Sequence, residues 1–285
     1  MMARQPNILL VMADQLAPHA TSTYGHAVVK TPHMDALASR GTLFEAAYAN
    51  SPLCAPARFS FLSGQAITKI GAYDNASEFP ASIPTLAHYM RLMGYRTSLS
   101  GKMHFVGPDQ LHGFDERLTT DIYPADFAWT PNWDEAEKRI GKWYHNMDSL
   151  HEAGQAAMTY QIEYDEEVGF MAKRRIYDYA RDSDPRPWML VASFIHPHDP
   201  YVARPEWWDL YDHDAIDLPA PVTGELDPHS LRIQRGIEYD TVGATEDQIR
   251  NARHGYYANT SYFDDWLGKL VATVEETGHA DNTII

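Results

Sequence analysis

Residues 7–12, Asn-Ile-Leu-Leu-Val-Met, and residues 188–195, Trp-Met-Leu-Val-Ala-Ser-Phe-Ile, are short, nearly unbroken apolar runs. A strand with one wet face alternates polar and apolar residues, so runs like these require strands covered on both faces. The chain must therefore build a sheet between two layers, and the sequence in between supplies helices. Residues 31–41 place Pro32 near a start, Leu37 in an apolar stripe and Gly41 at the stop. Residues 84–93 repeat the plan with Gly94 as the stop, and 95–99 return as a strand that delivers Gly101-Lys102-Met103-His104. Thr245 with Gln248 three later is a capping box. Ile249, Ala252, Tyr256, Phe263, Trp266, Leu270 and Val274 then recur at helical spacing up to Gly278, and 282–285 begin another apolar strand. This alternation predicts an α/β fold, a large central, mostly parallel (mixed) sheet flanked by helices. Residues 105–187 are aromatic-rich, show no clear alternation and read as an insertion near the site. Residues 212–244 read as a long loop excursion.

Composition removes several classes of function. With 23 Lys+Arg against 39 Asp+Glu, the formal charge of −16 opposes phosphate-backbone binding, so nucleic acid is not an expected partner. No apolar run reaches the roughly 20 residues of a bilayer span, and no export signal precedes the first strand. A cytoplasmic location, with no membrane partner, is the expectation. The single cysteine, Cys54, excludes an internal disulfide and a multi-cysteine zinc site. Because 282–285 form an unterminated apolar strand, residues 1–285 are expected to be part of a longer protein, or one of two pieces. The remainder would follow as a continuation or a separate chain.

Chemistry concentrates in four places. Asp14 follows the first strand, where open α/β sheets bind ligands. Residues 51–64 contain Cys54-Ala55-Pro56-Ala57-Arg58, a Cys-x-Pro-x-Arg motif, followed by Ser63-Gly64. Lys102 and His104 follow the strand at 95–99, and His198 lies in His196-Pro197-His198-Asp199-Pro200. Read without any relative, Cys54 could equally be a small buried hydrophobe, and His196-x-His198 a weak zinc pair. The stretch from Gly94 to Lys102 fails as a phosphate-binding loop, since six residues separate its glycines and Met103 replaces the Ser/Thr.

Together these segments resemble the sulfatase family of the alkaline-phosphatase superfamily. The runs 100–104, 107–114, 120–127, 143–146 and 196–201 are similar to its choline sulfatases, and Gln15 after Asp14 and Ala57 in the motif to choline sulfatases and the related phosphonate monoester hydrolases. The resemblance implies an alkaline-phosphatase-like fold and a sulfuric ester hydrolase that splits choline sulfate into choline and sulfate. It implies a formylglycine made from Cys54, hydrated to serve as nucleophile. One divalent cation, Ca²⁺ before Mg²⁺ or Mn²⁺, would be held by Asp14, Gln15 and the modified Cys54. Arg58 would position that nucleophile, Lys102 hold sulfate oxygens, His104 act as the base that restores the aldehyde, and His198 protonate the leaving oxygen. Asn75 would lie near the sulfate, and Trp129, His145 and Asn146 would bind the choline end, where a quaternary ammonium is read by aromatic faces. The same resemblance makes residues 1–285 the N-terminal part of the catalytic domain, places further Asp-His metal ligands beyond residue 285 and suggests a homo-oligomer. The competing readings are a phosphonate monoester or aryl sulfate hydrolase, and an inactive fragment or structural subunit with an incomplete site.

Overall fold

The computed structural model describes residues 5–130, 134, 146–220 and 222–285. In chain order the first half contains β1 (Asn7–Met12), α1 (Pro32–Arg40), α2 (Cys54–Ser63), α3 (Ile67–Ile70), α4 (Leu86–Leu92), β2 (Arg96–Gly101) and β3 (Glu116–Arg117). There follow α5 (Asp148–His151), β4 (Gly154–Gln155), α6 (Tyr160–Arg181), β5 (Trp188–Ser193), β6 (Val202–Ala203) and α7 (Pro205–Trp208). The last elements are α8 (Pro228–Gly236), α9 (Tyr239–Val242), α10 (Glu246–Glu276) and β7 (Thr283–Ile284).

Five strands form one sheet in the order β3-β2-β5-β1-β7, and β4 pairs with β6 separately. Every ladder among the described residues is parallel. The unbroken apolar run explains the central place of β5, all six residues of which are buried. Alternate side chains leave opposite faces of a strand. Trp188, Leu190 and Ala192 accordingly enter a cluster with Val168, Ala172 and Ile176 of α6 and Phe263, Trp266 and Leu270 of α10. Met189 and Val191 enter another with Ala55 and Phe59 of α2 and Ala87 and Met90 of α4. Helices therefore cover both faces, as the sequence pattern requires.

Two segments differ from their sequence reading. Residues 105–187 include α6, a 22-residue helix of the core layer. Its buried stripe runs through Asp165 and Gly169, which breaks the apolar periodicity. Gly169 is required there because any Cβ would press into the Trp266 ring. Residues 212–244 include α8 and α9, neither of which buries a residue, so no apolar stripe announces them.

Parallel strands direct their carboxyl ends to one edge of the sheet. β1 ends before Asp14, β2 before Lys102 and β5 before His196, so three chemistry-bearing turns converge. α2 begins there with Cys54 as its first residue.

Candidate active site

Each turn at this edge has its own anchor. Gly101 has φ 103°, and a Cβ there would run into the Ser193 carbonyl. Glycine thus lets β2 pass close to β5, and Lys102 N then donates to Ser193 O at 2.9 Å. Beyond it, Asp121 Oδ2 accepts from the backbone N–H groups of Met103 (3.0 Å) and His104 (2.8 Å), and from Arg117 Nη2 at 2.6 Å. These bonds hold His104 in a left-handed conformation, φ 60°, which an unsupported histidine rarely adopts. Asp165 does the same for the β5 turn: it accepts from Ile195 N (2.8 Å) and His196 N (3.0 Å), and its Oδ2 lies 2.7 Å from His196 Nδ1. Gln15 is also left-handed, φ 59°. Tyr256 of α10 pins that turn by donating to Gln15 O at 2.6 Å and accepting from Ala17 N at 2.8 Å.

At the centre lies a buried charge cluster. Asp14 Oδ2 contacts Lys102 Nζ and lies 3.3 Å from Arg58 Nη2, with Lys102 wholly inaccessible to solvent. Arg58 Nη1 also donates to Lys102 O (2.6 Å) and Ser193 Oγ (2.9 Å), so one guanidinium ties α2 to both β2 and β5. Burial would raise the Asp14 pKa, but Lys102 and Arg58 outweigh it and hold the carboxyl well below the usual range. Two cations around one carboxylate leave net positive charge beside α2, where an anion is favoured.

Cys54 occupies that position. Asn75 Oδ1 caps the start of α2 by accepting from Ala55 N at 3.0 Å, and its Nδ2 lies 4.0 Å from Cys54 Sγ. Burial alone would raise the thiol. The imidazoles of His104 and His198 beside it, with the nearby Lys102 charge, instead bring it down to about 5. Conversely, burial would lower the His198 imidazole, but the Cys54 thiol beside it and the charges of Asp199 and Asp14 raise it. Neither ring nitrogen of His104 makes a hydrogen bond of ordinary geometry, although both are buried. Trp129 meets the His104 ring edge-on at 5.6 Å and the Tyr123 ring at 4.9 Å. A cleft of 640 Å³ opens beside Cys54, lined by Asp14, Gln15, Arg58, Tyr48 and Gln65, a size suited to small ligands.

A lowered pKa makes unmodified Cys54 a thiolate at neutral pH. Its alkylation by iodoacetamide is therefore expected to titrate with a midpoint near 5, the thiolate fraction rising with pH. A midpoint near 9 would show that the histidines and Lys102 do not act on it.

One ligand atom each of Asp14, Cys54 and His198 lies within 4.8 Å of the others. The Asp14 carboxylate suits a hard dication, and the ammonium already on it marks a point that accepts positive charge. The Cys54 sulfur is a soft ligand that fits such an ion only after conversion to an oxygen-bearing group. Gln15 is exposed, with its amide 3.5 Å from the Tyr201 hydroxyl.

The sulfatase family matches this chain over residues 6–285. The chain belongs to the sulfatase family. The choline-sulfatase of Rhizobium meliloti is 50% identical over 291 residues, covering 99% of this chain and 56% of that protein. The arylsulfatase of Clostridium perfringens is 28% identical, covering 98% and 61%. The chain thus spans little more than half the length of these relatives. Among solved structures, the phosphonate monoester hydrolase of Agrobacterium radiobacter superposes with a TM-score of 0.70 at 22% identity, over 98% of this chain and 61% of that one. That of Silicibacter pomeroyi gives 0.69 at 21% over the same shares. These superpositions carry the fold, an α/β sheet of the alkaline-phosphatase kind.

Of the residues singled out from sequence, Asp14, Cys54, Arg58, Asn75, Lys102, His104, Trp129 and His198 come together at this edge of the sheet. Asn146 bonds locally, its Nδ2 donating to Asp148 Oδ2 at 2.8 Å, while α5, which follows it, is tied to the site by Ser149 Oγ on Asp199 at 2.7 Å. His145 lies outside the described residues. Sequence reading missed Ser193, Asp121, Asp165 and Tyr123. Their partners are distant along the chain, and for Asp121 and Tyr123 the only signal was membership of the run 120–127. Among the described residues no helix is long and apolar enough to cross a membrane.

Proposed function

We propose that the protein hydrolyses a sulfate monoester, choline sulfate before others, at Cys54. The observation that carries this reading is the environment of that one residue. Its side chain stands at a helix start among Lys102, His104, His198 and Asn75, in a chain half identical to a choline-sulfatase. Formylglycine generated from Cys54 would supply a hydrated aldehyde as the oxygen nucleophile, the cysteine sulfur marking its place. A hard divalent cation held by Asp14, Gln15 and that residue would neutralise charge and lower a hydroxyl pKa.

The chain's own groups divide the remaining work. Lys102 and Arg58 neutralise the anion, and because both are buried and pre-paired they need no reorganisation when charge develops on sulfate oxygens. Choline is a poor leaving group, so protonation of its oxygen matters more than for a phenol. His198, beside residue 54, is placed to give that proton. His104, with both nitrogens unspent, is placed to take one from the nucleophilic group. Trp129, one ring beyond His104, offers a face to a quaternary ammonium.

Trp129→Ala is expected to raise KM for choline sulfate by the equivalent of about 0.5–2 kcal/mol, the range for a cation over an aromatic ring. A neutral aryl sulfate should be much less affected, and equal losses on both would make Trp129 a packing residue. The fold shared with phosphonate monoester hydrolases supports a second reading, in which a phosphonate monoester is the substrate. Comparing kcat/KM for choline sulfate, nitrophenyl sulfate and a phenyl phosphonate ester decides between them. The first should be the highest, and preference for the phosphonate would overturn the choline sulfate reading.

A further inference from the structure

Tyr123 touches four of the side chains to which the proposed function gives a role, and that function gives Tyr123 none. Its ring lies 4.2 Å from Lys102 Nζ and 4.9 Å from the ring centroids of both His104 and Trp129. Its hydroxyl oxygen lies 3.4 Å from His198 Nε2. This placement is built into the backbone. Asp121 Oδ1 accepts from Tyr123 N at 3.4 Å while Oδ2 of the same carboxylate holds the Met103 and His104 amides. One buried carboxylate thus clamps the loop carrying Tyr123 to the turn carrying Lys102 and His104.

The hydroxyl contact has a definite sense. His198 Nδ1 lies 2.8 Å from the Asp199 carbonyl oxygen, which can only accept, so Nδ1 carries a proton. That leaves Nε2 as the nitrogen that faces the chemistry, and the Tyr123 hydroxyl is its partner at rest in either protonation state, as donor or acceptor. With both nitrogens anchored, the imidazole cannot rotate away. The 3.4 Å contact is long enough to be shared with, or yielded to, an incoming ester oxygen.

We propose that Tyr123 is a positioning residue with two separable parts. The hydroxyl aims His198 Nε2 at the leaving oxygen, and the ring holds Lys102 and backs Trp129, joining the anion-binding end of the site to its aromatic end. This rests on the proposed role of His198 as proton donor.

The test uses the full-length protein and two sulfate esters. Choline sulfate has a poor leaving group and nitrophenyl sulfate a good one that needs no proton. Tyr123→Phe keeps the ring and removes only the hydroxyl. Its kcat on choline sulfate should fall about 10–100-fold, a fraction of what a general acid contributes, with KM little changed and nitrophenyl sulfate hydrolysis falling less than about 3-fold. His198→Ala should show the same dependence on leaving group more strongly, and Tyr123→Phe added to it should cost nothing further, since a positioning group has no effect once its client is gone. Tyr123→Leu, which removes the ring as well, should raise KM for both esters.

Equal losses on both esters for Tyr123→Phe, or full additivity with His198→Ala, would overturn the proposal. If His198→Ala discriminates between the esters and Tyr123→Phe does not, the coupling alone is wrong. If neither discriminates, the coupling falls together with the role given to His198.

Discussion

Cys54→Ser is expected to fold as the parent does and to lose turnover by at least about 10³-fold, within the range seen when an enzyme's nucleophile is removed. The substitution keeps the small volume and the place at the start of α2, where the Asn75 cap is made by the Ala55 amide and not by the side chain. A serine hydroxyl, unlike the Cys54 thiol, is not ionised near neutral pH even beside His104, His198 and Lys102. It also lacks the second hydroxyl of a hydrated aldehyde, so any sulfate it accepts has no route off. Mass spectrometry of the variant after incubation with substrate should show sulfate retained on the peptide carrying residue 54. Turnover of choline sulfate at the parent rate would rule out a nucleophile made from Cys54.

Asp14→Asn should produce the largest loss of stability. The two cations around Asp14 are almost wholly buried, Lys102 at 0% and Arg58 at 6% side-chain exposure, and among the described residues Asp14 is the one carboxylate paired to both. Neutralising it strands them, and breaking a buried pair from one side costs about 3–5 kcal/mol. The pH dependence has a definite sign. The folded-state pKa of Asp14 lies below its unfolded value of 3.8, so its contribution is complete above that value and is lost as pH falls through the folded pKa. Urea unfolding of parent and variant at pH 7 should therefore differ by the full amount, and the gap should narrow only under strongly acid conditions. A difference below about 1 kcal/mol at pH 7 would mean that water or a counter-ion already compensates the two cations.

The sheet was readable in the sequence because its strands are buried on both faces, which turns β1 and β5 into apolar runs with a single interpretation. The capping box at Thr245 and Gln248 likewise forms as read, Gln248 N donating to Thr245 Oγ1 at 3.2 Å and Thr245 N to Gln248 Oε1 at 2.9 Å. α6 was hidden for a reason tied to function. Two of its inward positions are Asp165, which holds the Ile195 and His196 amides, and Gly169, which admits the Trp266 ring. A helix that serves the site and makes room for a neighbour has a broken stripe. The side chains placed by strand ends and by the Cys-x-Pro-x-Arg motif were accessible to local reading. Those that fix them were not, because Arg58 reaches Ser193 across 135 positions and His196 meets Asp165 across 31. A buried Asp looks like a solvated one until its amide partners are known.

Attack at sulfur on choline sulfate is the centre of this account, and isotope placement tests it most directly. The full-length protein would be incubated with choline sulfate in water enriched in oxygen-18 and both products weighed by mass spectrometry. Both products should be released, with the heavy oxygen in the sulfate and none in the choline. Absence of sulfate release, or label in the choline, would contradict it.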